Sequence, residues 1–135
     1  MNIVNKINEI PNLLRLKGCK TNQIIAAQKE LDIEFPDEFI DYVKTFGVIS
    51  FYGTEWTGLN VEGYLNVVDA TKNERKLGKD FPQGYFVLEN QNIDGILILV
   101  NSNGAVYSYQ SGNEPVLICK TMTEYLDICI KRNKA

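Results

Sequence analysis

The spacing of apolar residues changes at Gly47, and this change constrains the fold more than any other feature of the sequence. Before Gly47, apolar residues recur at intervals of three and four, as at Phe39, Tyr42 and Phe46, which places them on one face of a helix. After Gly47, short segments rich in β-branched and aromatic residues are separated by glycines, as is typical of strands. Helices followed by strands, without repeated βαβ alternation, predict an α+β fold with an antiparallel sheet.

Local signals place the ends of the predicted helices. Thr21 or Asn22 can cap a helix start, and Gly47 supplies a left-handed stop. Pro36 suits the first position of a helix because its missing N–H has no intrahelical partner there. We predict helices from residue 3 to near residue 11, from 21 or 22 through 31, from 36 to 47, over 69–78, and from a Thr121–Glu124 capping box to the basic tail.

Seven segments have the composition of strands. They are 48–51, 55–59, 64–68, 85–88, 95–100, 105–109 and 116–119. Asn103 and Gly104 predict a tight turn between two of them, because both residue types tolerate a positive φ. Since no internal repeat or low-complexity linker interrupts the pattern, we expect residues 1–135 to form a single domain.

The charge pattern argues against nucleic-acid binding. Fourteen basic and seventeen acidic residues give a net charge of -3, and basic residues cluster only at Lys131, Arg132 and Lys134. This mild acidic excess is compatible with a basic protein partner and equally with simple solubility.

The cysteines and apolar runs indicate a compartment. Cys19, Cys119 and Cys129 are scattered and lack CxxC spacing, which favours small buried thiols in a reducing environment over disulfides or a zinc site. Polar residues interrupt the first 16 positions, so no signal-peptide core is present, and the longest apolar run, 96–100, is too short to span a bilayer. We expect a cytoplasmic protein that does not enter the membrane.

The sequence contains no histidine, and this absence removes several kinds of chemistry. Serine and cysteine hydrolases use an imidazole as proton carrier, and most catalytic zinc sites are ligated by one. Glycine-rich phosphate-binding motifs are absent as well. Paired carboxylates, such as Glu55 with Glu62 or Asp32 with Glu34, remain the one catalytic device available. We therefore predict a protein that is not an enzyme and uses no cofactor or metal.

Residues 51–58 form the most distinctive segment of the chain. It holds the only tryptophan, Trp56, together with Tyr52, Glu55 and two glycines. Aromatic residues anchor partners at binding surfaces, but a lone tryptophan is also typical of a core, and both interpretations stay open here. For the stripe of Phe39, Tyr42 and Phe46, helical spacing favours the core.

The order of these motifs resembles the SUKH superfamily, the Smi/Knr-like immunity proteins. The resemblance rests on Leu31-x-Ile33-x-Phe35-Pro36-x-Glu38-Phe39-x-x-Tyr42-x-x-x-Phe46-Gly47, on Gly53-Thr54-x-Trp56, and on the later Asp69-Ala70-Thr71, Phe81-Pro82 and the hairpin over 94–107. It implies an α+β domain with a curved antiparallel sheet flanked by N-terminal helices and a C-terminal helix. It also implies a cytosolic antitoxin that binds a polymorphic toxin, frequently a nuclease.

From this resemblance we hypothesise an immunity protein that occludes its toxin. The partner-binding residues would be Tyr52, Glu55, Trp56, Glu62 and Tyr64. Two alternatives remain, a regulatory adaptor that recognises another protein and a domain that binds a small ligand in the hollow of the sheet. The sequence makes no prediction of oligomeric state.

Overall fold

The computed structural model of the chain describes residues 2–133. Met1, Lys134 and Ala135, which belong to the predicted domain, lie outside the described residues. Within them the chain forms five helices and seven strands. In chain order these are α1 (Ile3–Asn8), β1 (Leu14–Arg15), α2 (Thr21–Leu31), α3 (Asp37–Phe46), β2 (Ile49–Phe51), β3 (Thr54–Trp56), α4 (Val67–Leu77), β4 (Tyr85–Asn90), β5 (Leu97–Asn101), β6 (Val106–Tyr109), β7 (Val116–Cys119) and α5 (Met122–Asn133).

The strands form two antiparallel sheets, which confirms the predicted α+β class. One sheet has the order β1-β2-β3 and the other the order β4-β5-β6-β7. We expected one sheet, and the division arises after β3, where the Thr57 N–H and hydroxyl bridge to β4 by donating to the carbonyls of Leu88 (2.8 Å) and Val87 (2.7 Å). The helices flank the sheets as expected.

The strand predicted over 64–68 is wrong. Residue 66 makes an isolated bridge with Gly58, and α4 already begins at Val67. The Asn66 side chain caps this helix by accepting from the backbone N–H groups of Val68 (2.9 Å) and Asp69 (3.1 Å). This cap gives hydrogen-bond partners to the first backbone N–H groups of α4, and it outweighs the β propensity of Val67 and Val68.

The core lies between the helices and one face of the four-stranded sheet. The rings of Phe35, Phe39 and Phe86 have centroids 4.6 to 5.0 Å apart, which packs the start of α3 on β4. Phe39, Tyr42 and Phe46 are all fully buried, as their helical spacing predicted. The opposite sheet face carries a smaller apolar cluster that includes Phe81, Leu99 and Tyr109.

Two buried polar contacts fix the helices to the rest of the core. The Tyr42 hydroxyl donates to the carbonyl of Thr57 (2.8 Å) and accepts from the N–H of Ile49 (3.3 Å), which ties α3 to both ends of the β2–β3 hairpin. The Glu38 carboxylate accepts from the N–H groups of Met122 (2.9 Å) and Thr123 (3.1 Å) at the start of α5. A carboxylate is favourable at a helix N-terminus, so Glu38 joins α3 to α5.

Candidate functional site

The β2–β3 hairpin presents the segment that the sequence singled out. Its two-residue turn is formed by Tyr52 (φ 47°) and Gly53 (φ 81°), and Phe51 pairs with Thr54 on either side. Positive φ at both central residues matches the twist of paired strands. The turn orients β3 so that Thr54 and Trp56 face the core while Glu55 is partly exposed.

A capped loop places Tyr64 beside Glu55. Gly63 has a φ of 92°, and its carbonyl accepts from the N–H of Asn66 (2.9 Å). The Asn66 side-chain amide also donates to the carbonyl of Val61 (2.9 Å). The residue that caps α4 therefore also holds the start of the loop. Gly58 anchors the loop from below, since its N–H donates to the Leu65 carbonyl and its carbonyl accepts from Val67 N–H, both at 2.8 Å.

An open groove of about 500 Å³ lies between the hairpin, α4 and the start of the four-stranded sheet. We call it the Glu55 groove. The residues that define it here are Glu55, Thr57, Tyr64, Asp69, Lys72, Asn73, Glu74, Lys76, Val87, Asn90 and Leu97. Thr71 of α4 joins the helix to β4, because the buried Thr71 hydroxyl accepts from the N–H of Val87 (3.0 Å).

Glu55 and Tyr64 form a hydrogen-bonded pair at the edge of the groove. The Tyr64 hydroxyl lies 3.3 and 3.2 Å from the two carboxylate oxygens of Glu55 and donates to them, while 71% of the tyrosine is exposed. The negative charge of Glu55 raises the pKa of the Tyr64 phenol, which keeps its proton in place. The pair therefore offers a carboxylate and an aromatic ring to the solvent.

Charged residues of both signs line the Glu55 groove. Its carboxylates are Glu55, Asp69 and Glu74, and burial raises the pKa of the Glu74 carboxyl. Its lysines are Lys72 and Lys76, of which Lys72 is ion-paired with Glu30 of α2. The carboxylates can accept hydrogen bonds from Lys or Arg side chains of a partner.

The structure separates the five predicted contact residues. Glu55 and Tyr64 come together, and Glu62 is exposed on the same loop as Tyr64. Tyr52 lies apart from the groove, in a depression that it shares with Ile10 and Asp127. These four residues remain proposed contacts.

Trp56 does not lie at the surface. Its side chain is fully buried, with Tyr42 edge-on at 5.5 Å and Tyr125 stacked at 6.2 Å between ring centroids. Successive side chains of a strand point to opposite faces, so Trp56 points into the core because Glu55 before it is partly exposed. The predicted contact role of Trp56 is therefore wrong, and the residue belongs to the core.

A buried charge cluster beneath the hairpin was missed by the sequence analysis. Glu89 of β4 is 3% exposed, and Arg132 of α5 donates to its carboxylate at 2.6 Å. The Tyr125 hydroxyl donates to the other carboxylate oxygen (2.8 Å), and Arg132 also lies 3.3 Å from the Thr54 hydroxyl. This cluster joins β3, β4 and α5, and a signal for it existed in the carboxylate that interrupts an apolar strand.

Cys129 adds a titratable thiol to this cluster. Burial raises its pKa to about 12, and the charge of Glu89 adds to the rise, against the lowering effects of Arg132, Tyr125 and Trp56. In the unfolded chain the thiol ionises near its ordinary pKa of 9.0. The folded state therefore holds this proton more tightly than the unfolded state does.

Stability should consequently fall as the pH rises from about 9 towards about 12. We expect the urea midpoint to drop over this range, and to drop less steeply in Cys129→Ala, which lacks the titrating thiol. Equally steep profiles in the two proteins would show that Cys129 contributes nothing to the pH dependence. Denaturation followed by fluorescence of the single tryptophan measures both profiles.

The described part of the chain has neither a metal-binding cluster nor a membrane-spanning helix. Among residues 2–133, no group of three or more acidic or cysteine side chains is arranged to hold a metal ion. None of the helices in the same residues has the length and apolar content that a bilayer crossing requires.

Helices packed on two antiparallel sheets, with an open groove beside the β2–β3 hairpin, define a small α+β domain. The chain belongs to the SUKH_5 family, described as SMI1-KNR4 cell-wall, whose sequence model matches residues 1–131. This membership confirms the superfamily indicated by the sequence motifs. A comparison with curated proteins finds no match for the chain.

Proposed function

We propose that this protein is an immunity protein that binds a cognate polymorphic toxin and blocks it by covering the toxin's active site. Its membership of the SUKH_5 family is consistent with this role. The observation that carries the proposal is the exposed Glu55–Tyr64 pair at the edge of an open, carboxylate-lined groove. The protein would act in the cytoplasm and without catalysis of its own.

The chemistry of the groove supports a protein partner with a basic surface. Glu55, Glu62 and Asp69 are accessible acceptors for Arg or Lys, and Tyr64 supplies a large aromatic contact at small entropic cost. Nucleases bind a polyanion and so present basic residues around their active sites. We therefore propose a nuclease domain as the toxin, and no direct contact of this chain with nucleic acid.

The openness of the groove favours a macromolecule over a small ligand. Small-molecule sites enclose most of the surface of what they bind. Tyr64, by contrast, is 71% exposed, and Asp69 and Asn90 are exposed as well. A protein surface can cover such side chains where a metabolite cannot.

Growth of bacteria that express the product of the neighbouring gene, which the proposal expects to be the toxin, tests the proposal. We expect the wild-type protein to restore growth and to co-purify with the toxin. The double variant Glu55→Arg, Tyr64→Ala should weaken toxin binding by at least about tenfold, since it reverses one charge and removes one aromatic contact. Glu34→Arg makes the same charge change at an exposed position away from the groove and should bind as the wild type does.

Two results would contradict the proposal. One is a neighbouring product that is harmless when expressed alone. The other is rescue by the double variant that equals rescue by the wild type, with both proteins folded. Recovery of housekeeping proteins and no toxin from a pull-down would instead favour a regulatory adaptor.

A further inference from the structure

The two sheets meet at a seam, which is the line between β3 and β4 that runs from Thr57 to Thr54. Among residues 2–133 no strand pairing joins β3 to β4, and the two sheets have separate strand orders. At one end of the seam, the N–H and hydroxyl of Thr57 donate to carbonyls of β4. At the other end, a depression of about 260 Å³ opens, which Thr54, Glu55 and Asn90 help to line. Side-chain contacts are therefore needed to hold the two sheets together at this open end.

Arg132 of α5 provides contacts to both sides of the open end. Its guanidinium donates to the carboxylate of Glu89 on β4 at 2.6 Å and to the hydroxyl of Thr54 on β3 at 3.3 Å. It also donates to the Tyr125 hydroxyl at 3.2 Å and lies 5.8 Å from the centroid of that ring, which fixes the side chain on its own helix. A guanidinium can bond to several acceptors at once because its donors form a rigid planar fork. One side chain thus links the two sheets.

A bulge in β4 places Glu89 within reach of Arg132. The register between β4 and β5 shifts between Val87 and Glu89, and the consecutive residues Leu88 and Glu89 are both buried. In a regular strand, neighbouring side chains point to opposite faces, and a bulge changes the direction of one of them. Glu89 therefore points into the core, where α5 supplies its partners.

The Glu55–Tyr64 pair spans the same seam. Glu55 belongs to β3, whereas Tyr64 lies on the loop that leads into α4. This helix is held on β4 by the hydrogen bond from the Val87 N–H to the Thr71 hydroxyl at 3.0 Å. The distances of 3.2 and 3.3 Å between the Tyr64 hydroxyl and the Glu55 carboxylate oxygens therefore depend on how β3 is placed against β4.

We propose that Arg132 is a positioning residue for the Glu55–Tyr64 pair. By bonding to Thr54 and Glu89 together, it fixes β3 against β4 and so holds Glu55 within reach of Tyr64. Contact residues that are held in place by supporting bonds lose less freedom when a partner binds. The inference rests on the proposed function, because that proposal makes the pair a toxin contact.

A double variant separates positioning from stability. In Arg132→Met, Glu89→Gln no buried charge is left unpaired, so the fold should stay stable, but residue 132 no longer bonds to both sides of the seam. Thr54→Val removes only the acceptor on β3 and keeps the ion pair of Arg132 and Glu89. The matched control is Lys6→Met, because the Lys6–Asp127 pair joins α5 to α1 and not β3 to β4.

The hydrogen bond of Tyr64 can be followed by NMR without any toxin. The ¹³C chemical shift of Tyr64 Cζ at pH 7 responds to the bond with Glu55, and Glu55→Ala gives the value without that bond. We expect the double variant and Thr54→Val to move the shift towards the Glu55→Ala value, because β3 has lost its tie to α5. Lys6→Met should leave the shift at the wild-type value.

Toxin binding measures the consequence for recognition. The double variant should bind the toxin at least about tenfold more weakly than the wild type, although it is folded. When Glu55 is already alanine, the same two substitutions should cause little further loss, because the pair that they disturb is absent. A role in stability alone would let binding recover together with stability.

Three results would overturn the proposal. They are a Tyr64 shift that stays at the wild-type value in the double variant and in Thr54→Val, toxin binding by the double variant that equals that of the wild type, and a loss that adds in full to that of Glu55→Ala. A wild-type protein that binds no toxin would contradict the proposed function instead. The NMR comparison would then still decide whether Arg132 positions the pair.

Discussion

Replacing Arg132 by methionine is expected to lower the free energy of unfolding by about 2 to 3 kcal/mol. The change leaves the Glu89 carboxylate, which is 3% exposed, without its cationic partner at 2.6 Å. The cost stays below that of a fully buried pair because the Arg132 side chain is 32% exposed and Tyr125 still donates to Glu89. Urea denaturation followed by tryptophan fluorescence measures the loss.

A second substitution shows that the loss comes from the unpaired charge. In the double variant Arg132→Met, Glu89→Gln the buried charge is gone while the Tyr125 hydroxyl keeps an acceptor, and stability should return to within about 1 kcal/mol of the wild type. Lys6→Met breaks the more exposed pair with Asp127, whose atoms lie 2.8 Å apart, and should cost less than about 1 kcal/mol. A double variant as unstable as Arg132→Met would contradict this interpretation of the cluster.

Gly58→Ala is expected to destabilise the protein by at least about 3 kcal/mol. A Cβ at this position would lie 1.7 Å from the carbonyl oxygen of Gly47, and neither backbone atom can move without disturbing α3 or the loop that carries Tyr64. Since the Gly58 backbone bonds to both Leu65 and Val67, the substitution should also weaken toxin binding.

Gly78→Ala provides the matched control. A Cβ there would have no neighbour closer than 3.8 Å, and the residue has no positive φ. The free energy of unfolding should change by less than about 1 kcal/mol. Thermal unfolding of both variants measures the contrast, and equal melting temperatures for Gly58→Ala and Gly78→Ala would show that the close approach at Gly58 is not required.

Local sequence signals predicted most of the elements because the structure uses them locally. The strand over 116–119 and the helix ending at Leu31 have the bounds expected from their composition. Half of the capping box predicted at the start of α5 is present, because the Glu124 N–H donates to the Thr121 hydroxyl at 3.1 Å. The Glu124 carboxylate accepts from that same hydroxyl at 3.2 Å and not from the Thr121 backbone N–H. Each of these features is decided by residues within one turn or one strand.

Other features depend on contacts between distant residues or on competing local signals. Glu89 and Arg132 are 43 positions apart, and no spacing rule relates them. The segment around Asn66 contained both strand-forming valines and a capping asparagine, and only the structure shows that the cap prevails. Burial of Trp56 likewise depends on Tyr42 and Tyr125, which come from two separate helices.

The sequence does not reveal how the proposed contact residues are grouped in space. Glu55 and Tyr64 are nine positions apart and meet because the loop between them is closed by the Asn66 cap. Tyr52 lies on the same hairpin as Glu55, yet it packs towards Asp127 because of its position in the turn. Geometry of the hairpin and of the α4 cap, more than composition, determines which side chains share the groove.

Titration of the toxin's activity with the purified protein tests the proposed function most directly. The probe is the product of the gene beside this one, assayed for the toxin activity that the proposal requires of it. We expect activity to disappear at one equivalent of the wild-type protein and to persist with the Glu55→Arg, Tyr64→Ala variant at the same ratio. Full toxin activity in the presence of a tenfold excess of folded wild-type protein would contradict the proposal that this surface covers a toxin.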